Sequence, residues 1–339
     1  MEKIQLWLLQ GDLWLEYRTR IDLLAQVDEA PSVQASRAVM MACPLMQTLV
    51  AELSMWPGTA LNSYKDVAHA IHKLAFLADL GFQPDDPGMD RMIQNILSHR
   101  SPEGSVQVLI TIPTYYGGSG EDEWSWMPCD APIVMDVLLR FGLETNPQVY
   151  QAMDYLMGPV RDNGWPCVAS PALGKFQGPG RKNDPCPYVN LVMLKGLSQA
   201  APWRDDPSCR IGAETLLSLW ERWKKARPYL FAMGTDVLKL TAPLIWGDIL
   251  YALELLAQFP WLNYDPGLMD MIEIVQSKMD DQGRFTPESI WLAWKGWEFG
   301  QKKQPSQWLT FLVYRILKRL GDEQELFNLN MKRYPNFRT

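Results

Sequence analysis

Carboxylates, thiols and imidazoles recur in this chain just ahead of apolar stretches with helical spacing. His69, Asp130, Cys186 and Trp246 fall within about two residues of equivalent positions when the stretches are aligned on their L-x-x-L endings. Asp66, His72, Cys129, Asp184, Tyr188, Asn190 and Asp248 lie close by. Two kinds of chemistry suit such a set. A carboxylic acid such as Asp130 or Asp248 can donate a proton when its surroundings keep it neutral. Thiol, imidazole and carboxylate donors can share a metal, and Asp184, Cys186, His69 and His72 are the candidates for zinc, His69 and His72 at i and i+3 being able to share a helix face. Asp66, Asp130 and Asp248 also sit where a helix N-cap belongs, and capping alone accounts for an acid there.

The segments leading into these positions are rich in rings. Tyr115-Tyr116-Gly117-Gly118-Ser119-Gly120-Glu121-Asp122-Glu123-Trp124-Ser125-Trp126 combines glycines, acids and four aromatics, and Trp291, Trp294 and Trp297 recur every three residues. Such rings can stabilise a cation or stack on a sugar, or they can plug gaps between helices. Trp126, Tyr188 and Trp246 are expected as walls of a ligand site, with Asn190, Tyr116 and Trp124 nearby. Lys175, Arg181 and Lys182 read as a solvated basic loop, and no G-x-x-x-x-G-K-[ST] phosphate loop is present.

The elements that must position these groups follow a period. An acidic or Asn residue precedes Pro at Asp86-Pro87, Asn146-Pro147, Asp206-Pro207 and Asp265-Pro266, at intervals of 60, 60 and 59 residues. Asp or Asn satisfies the open N–H groups of a coming helix, and Pro at its first position needs no donor. An amphipathic stretch lies on each side of every junction, and Gly turns follow at Glu103-Gly104, Asn163-Gly164-Trp165 and Gln282-Gly283-Arg284-Phe285. The spacing predicts helical hairpins over about 12–55, 66–100, 130–161, 188–231 and 247–282, with a closing helix over 306–320. The strand signal is weak and confined to Val106–Ile112. A unit longer than those of open helical solenoids, in a chain of about six units, points to a closed all-α toroid, one domain across 1–339.

Composition bounds the rest. The chain has 339 residues, 47% hydrophobic, with 15 Trp and a formal charge of −7. That is ample for a core, and the acidic balance lacks the basic footprint of a nucleic-acid binder. No apolar run reaches about 18 residues, so no transmembrane segment is expected. The N-terminus lacks a basic n-region and cleavage site, and five cysteines without a C-x-x-C pair fit reduced thiols. The cytoplasm is the expected location.

The sixty-residue αα unit, the Asp-Pro junctions and the turns Asp162-Asn163-Gly164-Trp165 and Asp281-Gln282-Gly283-Arg284-Phe285 resemble the terpenoid cyclase and protein prenyltransferase superfamily of α/α toroids, also described by its squalene cyclase-like and prenyltransferase/squalene oxidase repeats. Trp14–Thr19 with Asp22-Leu23-Leu24, and Asp184–Tyr188, look like segments of uncharacterised bacterial members. The resemblance implies an apolar, aromatic central cavity, an isoprenoid or other apolar ligand, Asp130 or Asp248 as the acid, and no required cofactor or partner subunit. The chain departs from the family's motifs in three ways. D-x-D-D, whose middle Asp protonates alkenes in class II cyclases, is absent. Asp85-Asp86-Pro87-Gly88-Met89-Asp90 looks like a magnesium motif, yet the same turn recurs at other junctions and so belongs to the scaffold. Asp184-Pro185-Cys186 matches the zinc-binding Asp-x-Cys of prenyltransferases, but the His expected one repeat later is missing. Two other readings stand beside this one: a non-catalytic toroid that binds a lipid or a partner, and a carbohydrate-active toroid drawing paired carboxylates from Glu121, Asp122, Glu123, Asp130 and Asp248.

Overall fold

The computed structural model describes residues 2–63, 65–174, 176, 181–225 and 227–321. Lys175, Gly178 and Gly180 of the basic loop lie outside the described residues. Fourteen α-helices follow one another along the described chain. The first four are α1 (Glu2–Leu9), α2 (Leu13–Arg18, running on as a π-helical turn Thr19–Leu23), α3 (Pro31–Ala42) and α4 (Pro44–Leu53). Next come α5 (Ala70–Asp79), α6 (Met89–Leu97), the strands β1 (Val108–Thr111) and β2 (Asp122–Ser125), α7 (Ala131–Arg140) and α8 (Pro147–Met157). The last six helices are α9 (Pro187–Leu197), the short α10 (Ala201–Arg204), α11 (Pro207–Glu221), α12 (Ile249–Leu256), α13 (Pro266–Gln276) and α14 (Gln307–Leu320). The second half of the hairpin expected over about 12–55 is two helices, α3 and α4, separated at Cys43. Pro44 pushes Cys43 into an extended conformation (ψ 124°) and starts α4 afresh.

The chain divides into two compact units, residues 42–234 and residues 1–41 with 235–339. In the first, α5, α7 and α9 pack against one another in chain order, α8 packs on α7 and α11 on α9. Every residue of α9 and all of Ala131–Leu139 in α7 are buried. Helices that are apolar all round belong inside, whereas α6 buries only Met89, Met92, Ile93 and Ile96, the single stripe of a surface helix. The weak strand signal resolves into an antiparallel hairpin, Val108 opposite Ser125 and Thr111 opposite Asp122, with the Tyr115–Gly120 segment at its tip. In the second unit α12, wholly buried, packs on α13 and on α14, and α14 packs on α1 and on the π-helical turn.

The junctions act as their residue types require, with one exception. Asn146, Asp206 and Asp265 accept from the backbone N–H groups of Gln148 (2.9 Å), Ser208 (2.8 Å) and Gly267 (2.8 Å). At Asp86-Pro87 the carboxylate instead accepts from Gln83 N at 2.7 Å, and α6 begins after Gly88. Each Gly turn closes the same way: the N–H groups of Gly104, Gly164 and Gly283 donate to the carbonyls of Ser101, Arg161 and Asp280 at 2.9 Å.

Candidate functional site

The first helices of the hairpins begin at His69 (α5), Asp130 (α7), Cys186 (α9) and Asp248 (α12), and α14 begins at Ser306. The polar set read from the sequence is thus a set of helix N-termini, with Asp248 rather than Trp246 at the fourth. Their local roles differ. Asp248 Oδ1 accepts from Tyr251 N at 2.9 Å, an ordinary N-cap. Asp130 turns backward and accepts from Met127 N at 2.8 Å. The cap of α5 is His69, whose Nδ1 accepts from Ile71 N at 3.1 Å, while Asp66 Oδ1 accepts from Ala68 N in the preceding turn.

Asp130 and Asp248 are 1% exposed, and among the described residues each has a buried Oδ2 without a hydrogen-bond partner. Burial raises the Asp130 carboxyl to about 7 and the Asp248 carboxyl to about 8, against the pull of the backbone N–H groups each accepts. Near neutrality Asp248 therefore carries a proton, the state a general acid requires, and Asp130 stands at its midpoint.

The surroundings of Asp130 are sulfur-rich. Cys129 precedes it, and the thiols of Cys129, Cys167 and Cys186 are close enough to affect one another's ionisation. The sequence pattern had singled out Cys129 and Cys186 but not Cys167. Cys167 arrives through an isolated antiparallel bridge, Pro166 opposite Pro185, fixed by Cys186 N donating to Trp165 O at 2.8 Å. A bridge between two prolines carries no periodic signal. The adjoining pocket, walled by Trp126, Pro128, Trp165, Val189 and Met193, measures about 10 Å³, room for about one water.

Asp248 has a more open aromatic border. Its N–H donates to Trp246 O at 2.8 Å, and the half-buried rings of Trp246 and Trp291 lie 5.5 Å apart. Trp291 Nε1 donates to Pro243 O at 3.0 Å, which fixes that ring, and Leu292 beside it is 78% exposed. By contrast Trp294 and Trp297 join Trp14, Phe299 and Trp308 in an aromatic cluster with centroids 5.1–6.3 Å apart, which fills the interior of that unit.

The remaining candidates scatter. Tyr188 and Trp126 are buried. The Asn190 amide accepts from Trp165 N (3.0 Å) and donates to Trp165 O (3.0 Å) and Cys186 O (2.8 Å), so it ties a turn to a helix. Trp124, on β2, stacks on His99 with centroids 3.4 Å apart, and Tyr116 is exposed at the hairpin tip. Of the acids listed for paired-carboxylate chemistry, Asp122 accepts from Thr111 Oγ1 and Glu123 from Ser119 Oγ. His69 Nε2 lies 2.9 Å from Thr59 O, so both ring nitrogens are engaged, and Asp184 accepts from Arg181 N. Among the described residues no group of three or more His, Cys, Asp or Glu is placed to hold a metal ion, and no helix is long and apolar enough to cross a membrane.

No family model matches the chain, and no curated protein matches it. Among solved structures, a protein from Actinoplanes aligns over 91% of this chain and 89% of its own, at 16% identity and a TM-score of 0.39. That likeness is too loose to carry an argument.

Proposed function

We propose that the chain is a terpenoid cyclase- or prenyltransferase-like α/α toroid that acts on an isoprenoid or other apolar ligand, with Asp248 as proton donor. The observation that carries this reading is the Asp248 carboxyl, held neutral to about pH 8 by burial, with Oδ2 unpartnered. A donor without D-x-D-D has no neighbouring carboxylate to hold its proton, and burial supplies the same bias. Transfer to an alkene would leave a carbocation, and the faces of Trp246 and Trp291 are the surfaces suited to stabilise it. Closure of the hairpins into one ring belongs to the proposal, supported by the sixty-residue period and by first helices buried on all sides. So does a cytoplasmic location, supported by the absence of any disulfide among five cysteines.

The second reading is a non-catalytic toroid that binds a lipid or a partner. It is favoured by the pocket walled by Trp126, Pro128 and Trp165, which has room for about one water. One experiment separates the two. The purified chain is extracted with organic solvent for mass spectrometry, then incubated with polyprenyl substrates in deuterated water. The catalytic reading expects a product with one deuterium that disappears in Asp248→Asn. An isoprenoid that co-purifies and returns unchanged supports the binding scaffold. A clean extract with no product overturns the catalytic reading and the lipid-binding form of the second.

A further inference from the structure

We propose that the groove between α1 and the turn Asp281-Gln282-Gly283-Arg284 binds a hexuronate, a sugar ring carrying one carboxylate. Both walls belong to the unit of residues 1–41 and 235–339. The groove encloses about 430 Å³, within the roughly 300–1,000 Å³ of small-molecule sites. Its described walls are Lys3, Ile4, Trp7, Asp281, Gln282 and Arg284.

The frame is fixed before any ligand arrives. Lys3 and Trp7 stand one turn apart on α1, at i and i+4, and so share a face. Trp7 O accepts from Gln307 Nε2 of α14 at 2.7 Å, which ties the end of α1 down. Across the groove, Asp280 Oδ1 accepts from Gln282 N at 2.9 Å and from Arg284 N at 2.8 Å. Gly283 passes through φ +79°, and a Cβ there would stand 2.9 Å from Tyr314 Oη and 3.3 Å from Ile4 Cγ1. Only glycine lets the turn lie this close against α1. Arg284 closes the frame: its Nε donates to Asp280 Oδ2 at 3.0 Å, and its guanidinium carbon lies 5.7 Å from the centroid of the Trp7 ring. Side chains held in this way lose little freedom on binding.

The groups left over define the ligand. Among the described residues, the Lys3 ammonium, the Asp281 carboxylate, the Gln282 side-chain amide and the two terminal nitrogens of Arg284 make no hydrogen bond or ion pair. Two cations therefore share the groove with one anion. A ligand carboxylate takes the fork of Arg284 and the charge of Lys3. Asp281 then needs donors, which ring hydroxyls supply, and the Gln282 amide can give to or take from a further hydroxyl. The C–H face of a sugar ring packs on an indole. A fully ionised phosphate has no donor for Asp281 and meets its charge instead. The backbone of a free amino acid satisfies the charges but leaves Trp7 and Gln282 unused.

The test titrates the full chain with D-glucuronate, D-glucose, inorganic phosphate and glycine at slightly alkaline pH, followed by calorimetry. D-glucuronate is expected to bind saturably at one site, and each of the other three at least about tenfold more weakly. Lys3→Ala and Asp281→Asn alter exposed side chains and should leave the thermal midpoint in place, while each weakens D-glucuronate about tenfold. Lys3→Ala should leave the binding of D-glucose as it is in the wild type, since only the carboxylate has lost its partner. If Asp281→Asn instead tightens D-glucuronate or phosphate, the acid merely repels anions and the sugar reading is overturned. Phosphate or glycine binding as tightly as D-glucuronate, no saturable binding of D-glucuronate, or variants that bind it like the wild type would overturn the proposal as well.

Discussion

Arg315 of α14 donates to Glu254 of α12 at 2.8 Å, across 61 residues of sequence. Arg140 of α7 reaches Asp79 of α5 at 2.5 Å across the same 61 residues, and Lys195 of α9 lies 3.4 Å from Asp136 of α7, 59 residues away. All of these side chains are buried or nearly so. Each pair joins consecutive first helices, near the end away from the N-caps. Charges along these largely apolar, buried helices are tolerated because a neighbouring helix supplies the opposite sign.

Breaking one of these pairs should be costly in a defined way. In Glu254→Gln the Arg315 guanidinium, 4% exposed, loses the carboxylate 2.8 Å away, and Asp22 stands farther off at 3.6 Å. Removing one member of a buried pair costs about 3–5 kcal/mol, because the remaining charge is left uncompensated. Replacing both, as Glu254→Gln with Arg315→Met, should recover most of the loss. Urea denaturation of the two single variants and the double variant measures this, and additive losses would refute the coupling.

The raised carboxyls predict a stability that falls with pH. For Asp130 and Asp248 the unfolded chain gives up the proton near 3.8, whereas the folded state holds it to about 7 and about 8. Between those limits the folded state binds more protons, so stability is full below the lower value and declines as pH rises through the upper ones. Each carboxyl contributes a slope of up to about 1.4 kcal/mol per pH unit inside its window. Asp248→Asn keeps an oxygen to accept the Tyr251 N–H and has no proton to lose. The variant should gain on the wild type steadily from about pH 4 to pH 8, read as the difference in urea midpoints. A difference that stays constant over that range would show that Asp248 is ionised in the fold.

Much of the frame was legible because periodic features carry it. The Asx-Pro steps mark helix starts by their own hydrogen-bonding needs, and Asn146, Asp206 and Asp265 cap accordingly. Asp86 has the same spelling but accepts from Gln83, because Gly88 takes the chain through φ +87° before α6 can begin. What could not be read were relationships between residues far apart without a shared pattern. Cys167 meets Cys186 through a two-proline bridge, and the Asp136–Lys195 pair joins two helices whose apolar pattern hides a charge. Asn190 looked like a ligand contact, because a buried amide at a helix start has the same sequence whether it faces a substrate or a backbone. Only its three bonds to Trp165 and Cys186 decide the matter.

That role of Asn190 recurs in the other unit, which gives a sharp test of the Gly turns. Trp165 N donates to Asn190 Oδ1, and Phe285 N donates to Thr310 Oγ1, each at 3.0 Å and each across 25 residues. The turn before Trp165 passes through Gly164 at φ +97°, and a Cβ there would stand 2.4 Å from Asn190 Oδ1. Gly164→Ala therefore combines backbone strain of about 1–3 kcal/mol with expulsion of the amide from its three bonds. Gly58→Ala, at φ +72° with open space around it, suffers the strain alone. The thermal midpoint of Gly164→Ala should thus fall well below that of Gly58→Ala. Asn190→Ala made on the Gly164→Ala background should then cost little more, since the amide has already lost its place. If the two losses add in full, the turn and the amide act independently, and the tie between them carries none of the stability.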